Sequence, residues 1–194
     1  MIGLETVPAL SSTARNVKKL YFDAFPRAER VPYPLLRLRC ATKGFELKAL
    51  RDEGDFAGFV CYCVEGTALY IHYVAVDPAM RGRGIGGRVL ETLKERYPDH
   101  SIALDIEAID DAAPNKEQRI KRRSFYERHG FVSSGYGFAD DSGAYEVMLF
   151  GTPLEAAQYA RLIDSVSFGA YHTDLKPFDQ VDPQSVTRQA THTR

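Results

Sequence analysis

The chain has no tryptophan, three methionines and three cysteines among its 194 residues. The cysteines, Cys40, Cys61 and Cys63, are an odd and sparse set, which argues against a disulfide framework. Cys61 and Cys63 lie two apart in a strand-like run and so share one face. No further ligands follow at metal-site spacing, so buried free thiols are expected and no metal. An excess of one charge is also missing: 25 Lys and Arg against 26 Asp and Glu leave a net charge of −1. That is not the balance of a dedicated nucleic-acid binder. No apolar run reaches the roughly 20 residues that a membrane-spanning helix needs. The start, MIGLETVPAL, has no basic segment leading into a long apolar core, so no signal peptide is expected. These absences predict a cytoplasmic protein that works without a membrane.

What is present fits a globular chain. Hydrophobic residues make up 44% and charged residues 26%, ordinary values for a folded domain of this length. Residues 2–7 alternate as a short strand. Val17, Leu20, Tyr21, Ala24 and Phe25 recur at helical spacing until Pro26 closes the helix. Leu35 to Cys40 predicts a short second helix ended by Gly44. Three β-rich runs follow, from Phe45, at GFVCYCV and at ALYIHYVAV, joined by short turns at Gly54 and Gly66 and so forming an antiparallel meander. Val89, Leu90, Leu93 and Tyr97 mark a helix that Pro98 stops. SIALDIEAI is a fifth strand, Asn115 to His129 a basic helix, and Phe131 to Phe150 a closing hairpin.

This order predicts an α/β (α+β) fold with a mixed, mostly antiparallel sheet of about seven strands, flanked by helices. The fourth and fifth strands, joined across a helix, should pair in parallel. Residues 1–150 are expected to form the main domain. A helix over 151–172 begins near Pro153, and a polar, mobile tail runs over 173–194.

One segment carries chemistry. Arg81-Gly82-Arg83-Gly84-Ile85-Gly86-Gly87 lies between the fourth strand and an amphipathic helix. Glycines allow positive φ and leave backbone N–H groups uncovered. Those groups, with the free ones of the helix's first turn and the helix dipole, form an anion cradle. Arg81, Arg83 and Arg88 add charge. No Gly-Lys-Ser/Thr follows, so this is not a P-loop. A dinucleotide fingerprint also fits poorly, because the preceding strand belongs to a meander. Taken alone, the segment reads equally well as a tight strand-to-helix turn with solvated arginines.

VAVDPAMRGRGIGGRVL resembles the acyl-CoA-binding motif of the GNAT acetyltransferases, with Arg81, Gly84 and Gly86 at its defining positions. SFYERHGF, about 40 residues on, resembles the family's second motif, a helix with a tyrosine before a Gly-Phe turn, through Tyr126, Gly130 and Phe131. The resemblance covers roughly residues 1–150. It implies the GNAT acyl-CoA N-acyltransferase fold, acetyl-CoA as co-substrate and an amine as acceptor. It also implies that the backbone of Val74, Ala75 and Val76 pairs with the pantetheine arm. Arg81, Gly82, Arg83, Gly84, Ile85, Gly86 and Gly87 would hold the pyrophosphate, and Tyr126 would protonate the departing thiolate. Two positions depart from the pattern. Arg119 stands seven residues before the tyrosine, where the family often has an asparagine that contacts the cofactor, and is carried over as a cofactor contact. Arg122 stands where a small residue is common. Of Lys121, Arg122 and Arg123, at least two are expected on a solvated face.

For a general base the strand pattern offers two candidates. Glu107, on the fifth strand and on one face with Asp105, would lie beside the acceptor cleft if the fourth and fifth strands splay apart. His72 should share a face with Tyr70 and Val74, and neutral imidazole accepts a proton near physiological pH. Glu107 is placed slightly ahead. FPRAERVPY lies near where the family admits its acceptor, so Glu29 and Arg30 could read the acceptor's charge or form a loop ion pair. The predicted function is acetyl transfer to a primary amine of a small molecule or a peptide or protein. The alternatives are a non-catalytic acyl-CoA sensor or interaction module, and an acetyltransferase of aminoacyl-tRNA, which the near-neutral charge weakens. The edge of the closing hairpin could pair with a second copy as a homodimer.

Overall fold

The computed structural model describes residues 2–168, 170 and 172–181. Eight strands form one sheet in the order β1-β2-β3-β4-β5-β7-β6-β8. They are Gly3–Thr6 (β1), Phe45–Asp52 (β2), Asp55–Glu65 (β3), Ala68–Val76 (β4), Ser101–Glu107 (β5), Val132–Asp140 (β6), Gly143–Phe150 (β7) and Lys176–Pro177 (β8). β1 to β4 form an antiparallel meander, β4 and β5 pair in parallel, and the remaining contacts are antiparallel.

Among the described residues, five α-helices cover the two faces. Ser12–Ala24 (α1), Tyr33–Arg39 (α2) and Ala156–Asp164 (α5) lie on one face. There Val17, Tyr21, Leu36, Tyr159 and Leu162 pack against Phe59, Cys61, Cys63, Tyr70 and Tyr73. Ile85–Arg96 (α3) and Lys116–Arg128 (α4) lie on the other, where Val89, Leu90, Leu93 and Tyr126 meet Val60, Tyr62, Leu69, Ile71, Leu104 and Met148. The alternation in β3, with Phe59, Cys61 and Cys63 to one layer and Val60 and Tyr62 to the other, is the period-2 consequence of a strand covered on both sides. Local signals set the helix ends. The Ser11 side chain accepts from Ala14 N at 3.0 Å to start α1, and a Glu155–Gln158 capping box starts α5.

The sheet departs from the sequence expectation in several places. An eighth strand, β8, pairs with the outer edge of β6 through Tyr136↔Pro177 and Gly137↔Lys176. Part of the expected tail is therefore tied to the sheet, and the hairpin edge offered for a second copy is partly covered. Residues 182–194 of that tail lie outside the described residues. α5 packs on the same layer as α1 and α2. The three cysteines are free, and Cys40 Sγ stands 3.5 Å from Cys61 Sγ.

β4 carries a bulge. Cys61 faces Tyr73 and Tyr62 faces Ile71, so His72 is the extra residue. Before the bulge Ala68 and Tyr70 face the α1/α5 layer; after it Tyr73 and Ala75 do, while Val74 packs on the opposite side. His72 therefore does not share a face with Val74 as expected, because one inserted residue reverses the alternation.

Candidate active site

β4 and β5 pair only from Ala68↔Ser101 to Ile71↔Leu104, although β4 runs to Val76 and β5 to Glu107. Beyond Ile71 the β5-facing edge of β4, through Val74, Ala75 and Val76, has backbone groups that no strand pairs among the described residues. An extended chain could add to that edge as a further strand does. The strand leads through a 3₁₀ turn at Pro78–Met80 into the glycine loop and α3.

The loop fits an anion. Gly82 (φ 78°) and Gly84 (φ 68°) both take left-handed backbone, and a Cβ at either would meet nothing within 4 Å. These glycines are therefore needed for their torsions, not for space. Gly84 is the N-cap of α3 and supplies no side-chain cap, so the first-turn N–H groups, beyond reach of any helix carbonyl, remain open to an acceptor. Gly86 and Gly87 serve close approach. A Cβ on Gly86 would stand 3.2 Å from the Phe125 ring and one on Gly87 2.5 Å from His129. α3 and α4 meet there along a cleft of about 460 Å³ lined by Gly84, Gly87, Arg88, Glu91, Phe125 and His129. Arg81 and Arg83 are exposed, whereas Arg88 pairs with Asp52 at 2.7 Å and so adds less charge than expected.

Tyr126 is buried on α4 against Phe125 and Phe131. Burial pushes its hydroxyl up to about 12, Asp105 raises it further and Arg122 opposes both. A phenol held that high stays protonated at neutral pH and is a hydrogen-bond donor.

The α4 arginines turn inward. Arg119 donates to Ala108 O (2.7 Å) and Asn115 Oδ1 (2.9 Å) and pairs with Glu107 at 3.2 Å, with its side chain 16% exposed. Its guanidinium is thus engaged with Glu107, Ala108 and Asn115 rather than turned outward toward a cofactor. Arg122 pairs with Glu107 at 2.6 Å, and Arg123 bridges Glu127 and the buried Glu146. The solvated face expected for these residues is thus reduced to Lys121, because β5 and β7 supply a half-buried Glu107 and a buried Glu146 beneath the helix. The helix that looked basic in sequence is largely neutralised.

Glu107 stands beyond the last β4–β5 pair, and it accepts from Asn115 Nδ2 (3.1 Å) as well as both guanidiniums. It is an anchor for α4. The His72 ring stacks on Phe45 and touches Tyr70, and its Nε2 is buried without a partner. Burial, aided by Arg39, lowers it to about 3, which leaves it neutral and a poor proton acceptor.

The strand pattern passed over Asp105. It is the first β5 residue past the last pair, and Tyr70 Oη donates to its Oδ1 at 2.5 Å. Burial raises its carboxyl to about 6; the Tyr70 bond holds it down and Asp140 pushes it up. Glu29 faces the same locus from the 3₁₀ turn Arg27–Glu29. Burial raises its carboxyl, as do Glu107, Asp105 and Asp140, with Arg122 opposing. The segment is stapled by two core tyrosines. Tyr73 Oη donates to Glu29 O (3.0 Å) and accepts from Val31 N (3.2 Å), and Tyr21 Oη donates to Val31 O (2.8 Å). Arg30 turns away onto the Phe22 ring. Among the described residues no group of three or more His, Cys, Asp or Glu could hold a metal ion, and no helix is long and apolar enough to cross a membrane.

A glycine loop open to an anion thus stands at the end of a strand whose free edge can take an extended arm. Residues 46–133 match the family model described as an acetyltransferase (GNAT) domain. No curated protein matches the chain. Solved structures share the fold. A GNAT-family protein from Bacteroides thetaiotaomicron is 23% identical with a TM-score of 0.69, covering 88% of this chain and 99% of that one. Naa50 from Arabidopsis thaliana, in complex with the bisubstrate analogue CoA-Ac-MVNAL, is 20% identical with a TM-score of 0.56, covering 78% and 99%. An aminoglycoside 6′-N-acetyltransferase complexed with coenzyme A is 15% identical with a TM-score of 0.58, covering 79% and 99%.

Proposed function

We propose that the protein transfers the acetyl group of acetyl-CoA to a primary amine by direct attack in a ternary complex. The observation that carries this reading is the divergence of β4 and β5 after Ile71↔Leu104. It opens a slot that has the bare β4 edge and the glycine loop on the cofactor side and a group of carboxylates and tyrosines on the other. The backbone of Val74, Ala75 and Val76 aligns the pantetheine arm. The N–H groups of residues 82–87, helped by Arg81 and Arg83, hold the pyrophosphate. Holding two reactants in one slot supplies much of the rate. Tyr126 donates a hydrogen bond to the departing sulfur, which stabilises developing charge in a site that excludes water. Among proteins of this fold, the bound peptide analogue and the aminoglycoside enzyme present amines on a peptide and a small molecule, and both acceptor types suit the slot. Residues 1–150 would form the transferase domain.

Calorimetric titration with acetyl-CoA, beside CoA and NADH, followed by thiol release on a panel of amines, tests the reading. Tight acetyl-CoA binding, none of NADH, and thiol release on at least one amine are expected. Binding without release on any amine would favour a non-catalytic acyl-CoA-binding module. No acetyl-CoA binding would sink the reading.

A further inference from the structure

We propose that Asp105, held by the Tyr70 hydroxyl, is the catalytic group that takes the proton from the acceptor's ammonium, and that the acceptor is therefore an amine that arrives charged. The proposal rests on the acetyl-transfer reading above.

Position is the first argument. Asp105 follows Leu104, the last β5 residue paired with β4, so it stands where the slot opens. Its partner Tyr70 is on β4, on the α1/α5 layer, directly across from Ala103. The Tyr70 hydroxyl donates to Oδ1 at 2.5 Å, and the backbone N–H of Asp105 itself also holds the carboxylate. The two alternatives are disabled by their surroundings. Glu107 holds two guanidiniums and an amide, so both of its oxygens are already engaged. His72 is clamped between Phe45 and Tyr70 with a buried nitrogen, and protonating it would bury an unpaired charge.

The groups facing Asp105 come from every element around the slot. Tyr70 is on β4, Glu107 on β5, Arg122 and Tyr126 on α4, Asp140 on β6, Tyr145 on β7, and Glu29 on the turn after α1. Arg122 is turned to Glu107, so the balance around Asp105 is acidic and suits a cation. Desolvation brings its carboxyl to about 6, close to where a general base works best at neutral pH.

The step balances. One proton passes from R–NH3+ to the Asp105 carboxylate, and the nitrogen lone pair bonds to the thioester carbon. The C–S bond breaks and its electron pair leaves on sulfur. The nitrogen's remaining extra proton reaches sulfur through the Tyr126 hydroxyl, and Asp105 returns its proton to water. The products are the acetamide, the CoA thiol and one proton.

The test uses the full chain and whichever panel amine turns over fastest. Asp105→Asn should lower kcat by about 100-fold or more while acetyl-CoA binding stays within about twofold. The acid limb of the wild-type pH profile should fall near 6. Tyr70→Phe should move it upward, because the lost hydrogen bond favoured the ionised form. His72→Ala should leave its midpoint in place. Carboxyl titration by 13C NMR gives a readout independent of turnover: one resonance with a midpoint near 6, lost in Asp105→Asn and raised in Tyr70→Phe. Wild-type turnover with Asp105→Asn within about threefold, or a carboxyl midpoint near the ordinary 4, would overturn the inference alone. If no amine on the panel reacts, the titration decides in the same way. A wild-type chain that binds no acetyl-CoA would overturn both this inference and the reading beneath it.

Discussion

Ile71 and Leu104 face each other as the last pair of the β4–β5 ladder, and each strand runs on without the other, to Val76 and Glu107. The bulge at His72 follows immediately on β4. A parallel pair that ends in mid-sheet, with a bulge to re-aim one strand, makes a slot without any insertion in the chain. On the β4 side it leads to the glycine loop; on the β5 side it begins with Asp105.

The loop's dependence on torsion is separable from its dependence on space. Gly84→Ala introduces a Cβ that meets nothing within 4 Å but must hold φ at 68°. The cost should be about 1–2 kcal/mol, or a melting point lower by roughly 2–8 °C for a chain of this size. Acetyl-CoA affinity should fall about tenfold, because the N-cap sets the direction of the α3 N–H groups. Thermal melts with and without acetyl-CoA check both numbers. An unchanged affinity would mean that the loop is only a turn.

Tyr126→Phe removes a donor and keeps the ring that packs on Phe125 and Phe131. Turnover should fall by about 100-fold, with acetyl-CoA binding nearly unchanged. A phenol is neutral below its pKa, and this one is pushed up to about 12, so the wild-type profile should show no alkaline limb from Tyr126 below about pH 10. An alkaline limb near 9 that vanishes in Tyr126→Phe would contradict this placement.

These two predictions rest on residues that were legible in the sequence, and the reason is locality. The glycine loop, Tyr126 and the Gly130-Phe131 turn each depend on spacing within one strand–loop–helix or helix–turn segment. The parallel β4–β5 pair also follows from chain order alone. What escaped depends on distant partners. Asp105 and Glu107 are equivalent in a period-2 pattern, and only Tyr70 on one side and Arg119 and Arg122 on the other distinguish them. The face of His72 reverses because β4 inserts a residue against β3, which no pattern within β4 reveals. The family resemblance alone makes Arg119 a cofactor contact, and its inward turn becomes legible only once Glu107 and Ala108 are known to lie beneath α4. β8 has two residues, one of them proline, and so has no alternation to read.

His72 should make the fold acid-sensitive. Its folded pKa is lowered to about 3 by burial, against about 6.5 in the unfolded chain. Below 6.5 the unfolded state binds a proton that the folded state refuses, so stability is lost as pH falls from 6.5 towards 3. Asp105 acts in the opposite sense: raised to about 6, it adds stability that is present at low pH and lost as pH rises through 6. The wild type alone therefore hides both effects. His72→Phe, which keeps a ring against Phe45 and Tyr70, isolates one of them. Urea unfolding at pH 7.5 and pH 5 should show the wild type losing about 2 kcal/mol relative to the variant. Parallel behaviour of the two proteins across that window would show that the imidazole takes a proton in the folded state.

The final helix is where a boundary at residue 150 can be tested. Tyr159 on α5 is fully buried, rests on Tyr136 of β6, and accepts from Leu154 N at 3.4 Å. Leu162 follows one turn on, and both belong to the same layer as Tyr21 and Phe59. Removing a buried aromatic of this kind costs about 3–5 kcal/mol, through lost transfer energy and the cavity it leaves. Arg161, between them in sequence, is exposed and pairs with an equally exposed Glu65 at 3.5 Å. Its removal should cost under about 0.5 kcal/mol. If α5 is part of the transferase core, Tyr159→Ala should lower the single unfolding transition of the whole chain by the larger amount while Arg161→Ala leaves it in place. If α5 is instead an appendage, Tyr159→Ala should leave the main transition unmoved and release only a small early step, and residues 1–150 should fold when expressed alone.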